Sequence, residues 1–138
     1  MQNTFLIDSG PLIALFDRSD KYHKRVYDYI RSLSCHLVST LAVLTEVSHM
    51  LDFSVEAQID FLSWVMSGGL RLEPVERDDL GRIIELTRKY HDLPIDFADA
   101  TLVLAAEKTG IRAVISIDSD FDIYRLTGKV RINNIFPG

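Results

Sequence analysis

The stretch IDFADATLVLAAEKTGIRAVISID, residues 95–118, decides the fold. Asp96 is a residue type that caps helices, and Gly110 is one that ends them. Between them the Ala, Leu, Val and Thr residues suit a buried helix. AVISID, residues 113–118, is a short apolar run ending at an aspartate, and it reads as a buried strand. A buried helix feeding a buried strand is a piece of a parallel α/β unit. One feature is out of place in such a core. The helix opens with Asp96 and Asp99, carboxylates on an element made for burial.

The rest of the chain fits the same pattern. TFLID (4–8) is a short apolar run and reads as a strand ending at Asp8. Ser9 and Gly10 form a turn, and Pro11 suits the first position of a helix over 11–17. Tyr22, Val26, Tyr29, Ile30 and Leu33 recur at helical spacing between Asp20 and Ser34. CHLVS (35–39) reads as a second strand, and Ser39 or Thr40 can cap a helix over LAVLTEVSHML. Further helices are expected at about 55–66, stopped by Gly68 and Gly69, and at 78–90. LRLEPV (70–75) and VRINNI (130–135) read as the remaining strands. Strands alternating with helices predict an α/β fold with a mostly parallel sheet and helices on both faces. With no repeat and no linker, residues 1–138 are expected to form one domain.

Composition narrows the class. The chain is 47% hydrophobic and 25% charged, ordinary for a globular protein. No window approaches the ~18 uncharged apolar residues of a membrane span. The N-terminal stretch has no basic segment before its apolar run, unlike a secretory signal, so a cytoplasmic protein is expected. The single cysteine, Cys35, excludes an internal disulfide and a thiolate metal cluster. A net charge of −5 argues against a general polyanion binder, but not against an enzyme whose acids gather in a metal site.

The acids fall where such a site belongs. Asp8 and Asp118 end strands, and ligands of open α/β sheets bind beyond the carboxyl ends of strands. Asp99 lies in the first turn of its helix, and Glu46 lies in an otherwise apolar run. Each has an ordinary explanation. Asp96 can be a plain N-cap, Asp99 a first-turn acid favoured by the helix dipole, and Glu46 a solvated residue. Asp8 can cap the helix after it, and Asp118 and Asp120 can be turn residues. Their joint placement at one sheet edge is harder to explain so. Clustered carboxylates without Cys or His suit hard cations such as Mg²⁺ or Mn²⁺, which commonly act on phosphate substrates. Two such ions can stabilise the attacking and leaving oxygens of a phosphodiester displacement.

FLIDSGPLIALFD, TEV, DFADATLVLAAEKTG and ISIDSDFDIYR, in this order, resemble a PIN domain, and most closely the toxin nucleases of VapBC-type toxin–antitoxin pairs. The resemblance spans essentially the whole chain. It implies a three-layer α/β/α sandwich and an endoribonuclease dependent on Mg²⁺ or Mn²⁺, leaving a 5′-phosphate and a 3′-hydroxyl. Carried over residue by residue, it makes Asp8, Glu46, Asp99 and Asp118 the catalytic and metal-binding acids. Ser9, Asp96, Ser116 and Asp120 are expected around them; Ser116 stands where the family often has Thr. It also implies a homodimer, a small antitoxin protein as partner, and RNA as substrate. The alternatives are a stand-alone RNA-processing nuclease and a non-catalytic module that binds RNA or protein.

Other functional signals are weaker. Arg18, Lys21, His23, Lys24 and Arg25 form a basic segment, and Arg125, Lys129 and Arg131 another; phosphate contact and a plain solvated face explain them equally well. His49 is expected to be structural, and Trp64 to lie in the core or an interface. An aspartyl phosphotransferase of the haloacid-dehalogenase type needs Asp-x-Asp after the first strand, whereas Asp8 is followed by Ser9 and Gly10. A receiver-type signalling domain wants a mid-chain phosphorylatable aspartate, and the mid-chain acid here is the helical Glu46.

Overall fold

The structure, a computed structural model, describes residues 3–93 and 95–137. Met1 and Gln2, part of the stretch tested for a targeting signal, lie outside them. β1 (Thr4–Ile7), β2 (His36–Ser39), β3 (Arg71–Leu72), β4 (Ala113–Ile115) and β7 (Asn133–Asn134) form one sheet in the order β3-β2-β1-β4-β7. Every pairing in it is parallel. A separate antiparallel hairpin joins β5 (Arg125–Leu126) to β6 (Val130–Arg131). The helices are α1 (Ser9–Phe16), α2 (His23–Ser32), α3 (Leu41–Met50), α4 (Val55–Trp64), α5 (Leu80–Lys89) and α6 (Phe97–Thr109). α1 packs on α2, α3 and α4; α5 packs on α6; α3 also meets α6. The result is the expected α/β/α sandwich. Among the described residues no helix is long and apolar enough to cross a membrane.

Residues at the strand centres explain the sheet. Leu6, Ile7, Val38, Val114 and Ile115 are β-branched or bulky and essentially fully buried. A parallel sheet covered on both faces demands such continuous apolar runs. α6 is the most enclosed helix: every residue from Ala98 to Ala106 is buried. α5, α3 and the β5–β6 hairpin all contact it. A helix apolar all round is stable only when enclosed in this way.

Several boundaries differ from the sequence-based expectation, each for a physical reason. α1 starts at Ser9, so Pro11 sits inside its first turn, where its missing N–H still breaks no helical bond. The expected strand over 70–75 shrinks to Arg71–Leu72; Glu73 N–H still bonds Ser39 O at 2.8 Å, but Pro74 has no N–H to continue. α4 runs into a π-helical turn, Val65–Gly69, in which Gly68 takes φ 99° and Gly69 lies against the Trp64 ring. β4 stops at Ile115, short of Asp118. Beyond it the Asn134 side chain replaces a backbone neighbour: its Oδ1 accepts from Ser116 N–H (3.2 Å) and its Nδ2 donates to Ser116 O (3.1 Å). The segment 130–135 is not one strand but β6 of the hairpin followed by β7 at the sheet edge. Gly128 and Lys129, both at positive φ (81° and 63°), reverse the chain between β5 and β6.

Glu107 fastens the hairpin to the helices. Its carboxylate accepts from Arg82 Nη2 at 2.7 Å and from Thr127 N–H at 2.8 Å. Burial pushes this carboxyl up, but the Arg82 guanidinium and the Thr127 amide outweigh that, and it lies below the usual glutamate value. A depressed carboxyl contributes stability above its unfolded pKa of about 4.3, and that stability is lost as pH falls through the folded value. Glu107→Gln should therefore destabilise the protein by about 1–2 kcal/mol at pH 7. In urea melts across pH, the gap from wild type should close below about pH 4; a gap unchanged down to pH 3 would show that the charge does not matter. Gly110 ends α6 at φ 79° with open space where a Cβ would go. Gly110→Ala should then lose only the left-handed backbone cost, about 1–2 kcal/mol in the same melts.

Candidate active site

The sheet order creates the site. β1 lies between β2 and β4, and the chain reaches them from opposite directions, so a crevice opens at the carboxyl ends of β1 and β4. Asp8 leaves β1 at that point, and Asp8 N–H donates to Ile115 O at 3.0 Å, holding it beside the end of β4. Asp8 is buried and N-caps α1. Its Oδ1 accepts from Ser9 N–H at 2.7 Å and its Oδ2 from Ser116 Oγ at 3.1 Å. The Ser116 hydroxyl also lies 3.3 Å from Asp118 O. It has one proton, and the carboxylate is the nearer and more strongly charged acceptor.

Asp99 enters from α6. Asp96 caps that helix, its Oδ1 accepting from Asp99 N–H at 2.7 Å. The cap sets the first turn so that Asp99 is turned inward and buried. Asp99 Oδ2 accepts from the hydroxyl of Tyr124 at 3.1 Å. Asp118 is exposed in the turn after β4, and its Oδ1 accepts from Asp120 N–H at 2.6 Å. Glu46 is half-buried on α3 and close enough for its charge to act on Asp8. A buried hydroxyl pair ties α3 to α6. Thr101 Oγ1 donates to Ala98 O (2.6 Å), so Thr40 must supply the proton in the 2.7 Å contact between the two hydroxyls. Thr40 also accepts from Val43 N–H (3.4 Å), capping the helix that carries Glu46.

These acids share one electrostatic neighbourhood. Burial, with the charges of Asp118 and Glu46, raises the Asp8 carboxyl to about 6 against the pull of Ser9 and Ser116. Burial, with the charges of Asp8, Asp96 and Asp118, raises Asp99 to about 8, and Tyr124 offsets this only in part. Asp120 is raised by burial and by Asp118 and Asp96. Burial and the Asp99 charge push the Tyr124 phenol up, so it keeps its proton and remains a donor. Among the described residues none of these acids forms an ion pair with Lys, Arg or His. An all-oxygen set of carboxylates without a counter-charge, two of them (Asp8 and Asp99) buried, fits a hard divalent cation. As they stand, among the described residues, no three acidic, His or Cys side chains converge into a ready-made cage.

The site thus gathers Asp8, Glu46, Asp99 and Asp118 with Ser9, Asp96, Ser116 and Asp120. The structure adds Tyr124 and Asn134, which carry no sequence signal of their own, since each acts across a distance set by the fold. The basic segments are less suggestive. Arg25 Nη2 donates to Pro137 O (2.6 Å) and Arg125 Nη1 to Asp122 O (2.6 Å), so both cations are tied to backbone. Trp64 packs on Phe16 and Phe61. His49 is exposed in the last turn of α3.

Comparison with known proteins agrees with this fold. Over 115 residues the chain is 26% identical to Ribonuclease VapC26 of Mycobacterium tuberculosis, covering 82% of this chain and 85% of that one. The fold matches the crystal structure of VapC20 from M. tuberculosis, described as a sarcin–ricin-loop-cleaving toxin, with a TM-score of 0.80 at 22% identity, over 92% of this chain and 98% of that one. It also matches VapBC2 from Rickettsia felis, solved bound to a DNA fragment from its promoter, with a TM-score of 0.68 at 13% identity, over 95% of this chain and 98% of that one. The PIN domain family model matches residues 5–126, from the first strand to the hairpin. The chain belongs to the PIN domain family.

Proposed function

We propose that this protein is an endoribonuclease dependent on Mg²⁺ or Mn²⁺ and the toxin of a type II toxin–antitoxin pair. The observation that carries the proposal is the set of buried carboxylates without counter-charge at the switch point of the sheet, in a PIN chain related to a protein named as a ribonuclease. Asp8, Glu46, Asp99 and Asp118 are the residues that would hold the cation. When bound, the cation supplies positive charge to the attacking and leaving oxygens of a phosphodiester undergoing in-line displacement by water.

The chain's own residues do the rest. Ser9 N–H and Ser116 Oγ fix both oxygens of Asp8, so its orientation survives the absence of a positive partner. Asp96 holds the first turn of α6 and thereby Asp99; Asp118 braces Asp120 in the turn after β4. The Thr40–Thr101 contact keeps Glu46 and Asp99 in register. An antitoxin partner is supported by the likeness to VapBC2. A homodimer and a cytoplasmic location complete the proposal.

The direct test is RNA cleavage by the purified, antitoxin-free protein with Mg²⁺, Mn²⁺ or EDTA. Wild type should cleave only with metal. Folded Asp8→Asn and Asp99→Asn should each lose more than the ~10–100-fold typical of groups outside the ligand shell. Cleavage at the wild-type rate by either folded variant, or in EDTA, would sink the assignment. Thermal melting gives an independent check. A carboxyl raised to about 8 costs stability at neutral pH, where the unfolded chain would ionise it, so Asp99→Asn should melt higher than wild type in EDTA at pH 7. Excess Mn²⁺ should raise wild type and not the variant. Equal melting points in both conditions would show that Asp99 neither stores repulsion nor meets a cation.

A further inference from the structure

We propose that Tyr124 is a positioning residue for Asp99, holding one carboxylate oxygen so that the other stays directed to the cation site. The inference rests on the divalent-cation reading above. Tyr124 is fully buried, and its hydroxyl lies 3.1 Å from Asp99 Oδ2. That is the phenol's one hydrogen bond among the described residues. Asp99 Oδ1 takes none among them. A phenylalanine would fill the same core volume without burying a polar atom, and a buried tyrosine hydroxyl needs a partner. The hydroxyl therefore has its physical reason in Asp99.

The ring cannot drift from this contact. Tyr90 meets it edge-on, with centroids 5.2 Å apart at 66°, and Phe121 meets it at 5.3 Å and 86°. The Tyr90 hydroxyl is engaged elsewhere, accepting from Arg125 N–H at 2.8 Å, and makes no hydrogen bond to Tyr124 or Asp99 among the described residues. Chemistry also favours a phenol here. A lysine in its place would pair with Asp99 and compete with a metal ion. A neutral donor orients the carboxylate and leaves its charge available. Groups that orient ligands from outside the ligand shell commonly change metal affinity 10–100-fold.

The test is Mn²⁺ binding to the full chain, read by the electron paramagnetic resonance of free Mn²⁺, with cleavage kinetics and melting curves beside it. Tyr124→Phe should weaken Mn²⁺ binding by about 10-fold. It should shift the Mn²⁺ midpoint of cleavage by the same factor and leave KM for RNA unchanged. Tyr90→Phe is the structural control: it removes a hydroxyl from the same aromatic cluster without touching Asp99. It should melt lower than wild type while binding Mn²⁺ normally. Wild-type Mn²⁺ affinity in Tyr124→Phe, where Asp99→Asn has lost binding, overturns the role of Tyr124 and leaves the cation site standing. An equal loss in Tyr90→Phe reduces the effect to packing and also overturns it. No Mn²⁺ binding by wild type overturns both readings.

Discussion

Carboxyl groups held out of water without a positive partner are the condition around which this molecule is organised. Asp8 and Asp99 are both buried, and the charge of Asp8 raises the Asp99 carboxyl further. A fold gains nothing in stability from such a pair, so the surrounding structure must hold it in place. It does so with neutral donors: a backbone amide and a serine on Asp8, a phenol on Asp99. Arginine or lysine would have satisfied the carboxylates more strongly, but would have closed the site to a cation. Stability is supplied elsewhere, by the apolar centre of the parallel sheet and the enclosure of α6.

Topology explains why these residues meet at all. Parallel strands send their carboxyl ends to one edge, and a change of direction between β1 and β4 leaves room there. β1 contributes Asp8 and the turn after β4 contributes Asp118. α6 lies so deep that its first turn opens into the same crevice. Its apolar length and its acidic start are consequences of a single position: the body of the helix is inside the sandwich, and its amino end is at the site.

Much of this was legible in local patterns. Asp8 follows an apolar run, Asp99 stands one turn into a capped helix, and Glu46 interrupts an apolar one. Such positions follow from chain order alone. What could not be read was whatever depends on distant partners. Asn134 stands beside Ser116 only because β7 is the neighbour of β4, and nothing in VRINNI says that its polar residues clamp another strand's end. Tyr124 looks like any aromatic after a turn until the hairpin lays it over α6. The hairpin itself did leave a signal, since LTGKV sets a glycine between apolar residues. Its two short strands fell below the length at which alternation is visible.

The Thr40–Thr101 contact carries a consequence for how this chain can vary. Each hydroxyl is fully buried, and Thr40 depends on Thr101 to accept its proton. Valine at Thr101 alone would leave a buried hydroxyl with a proton and no acceptor, at about 1–3 kcal/mol. Replacing the two together with residues of matching shape removes that orphan and gives up the long 3.4 Å cap of Thr40 on Val43 N–H. The positions, 61 apart in sequence, are therefore linked by inheritance: in descendants of this chain they should exchange as a pair, polar with polar or apolar with apolar, and mixed pairs should be rare.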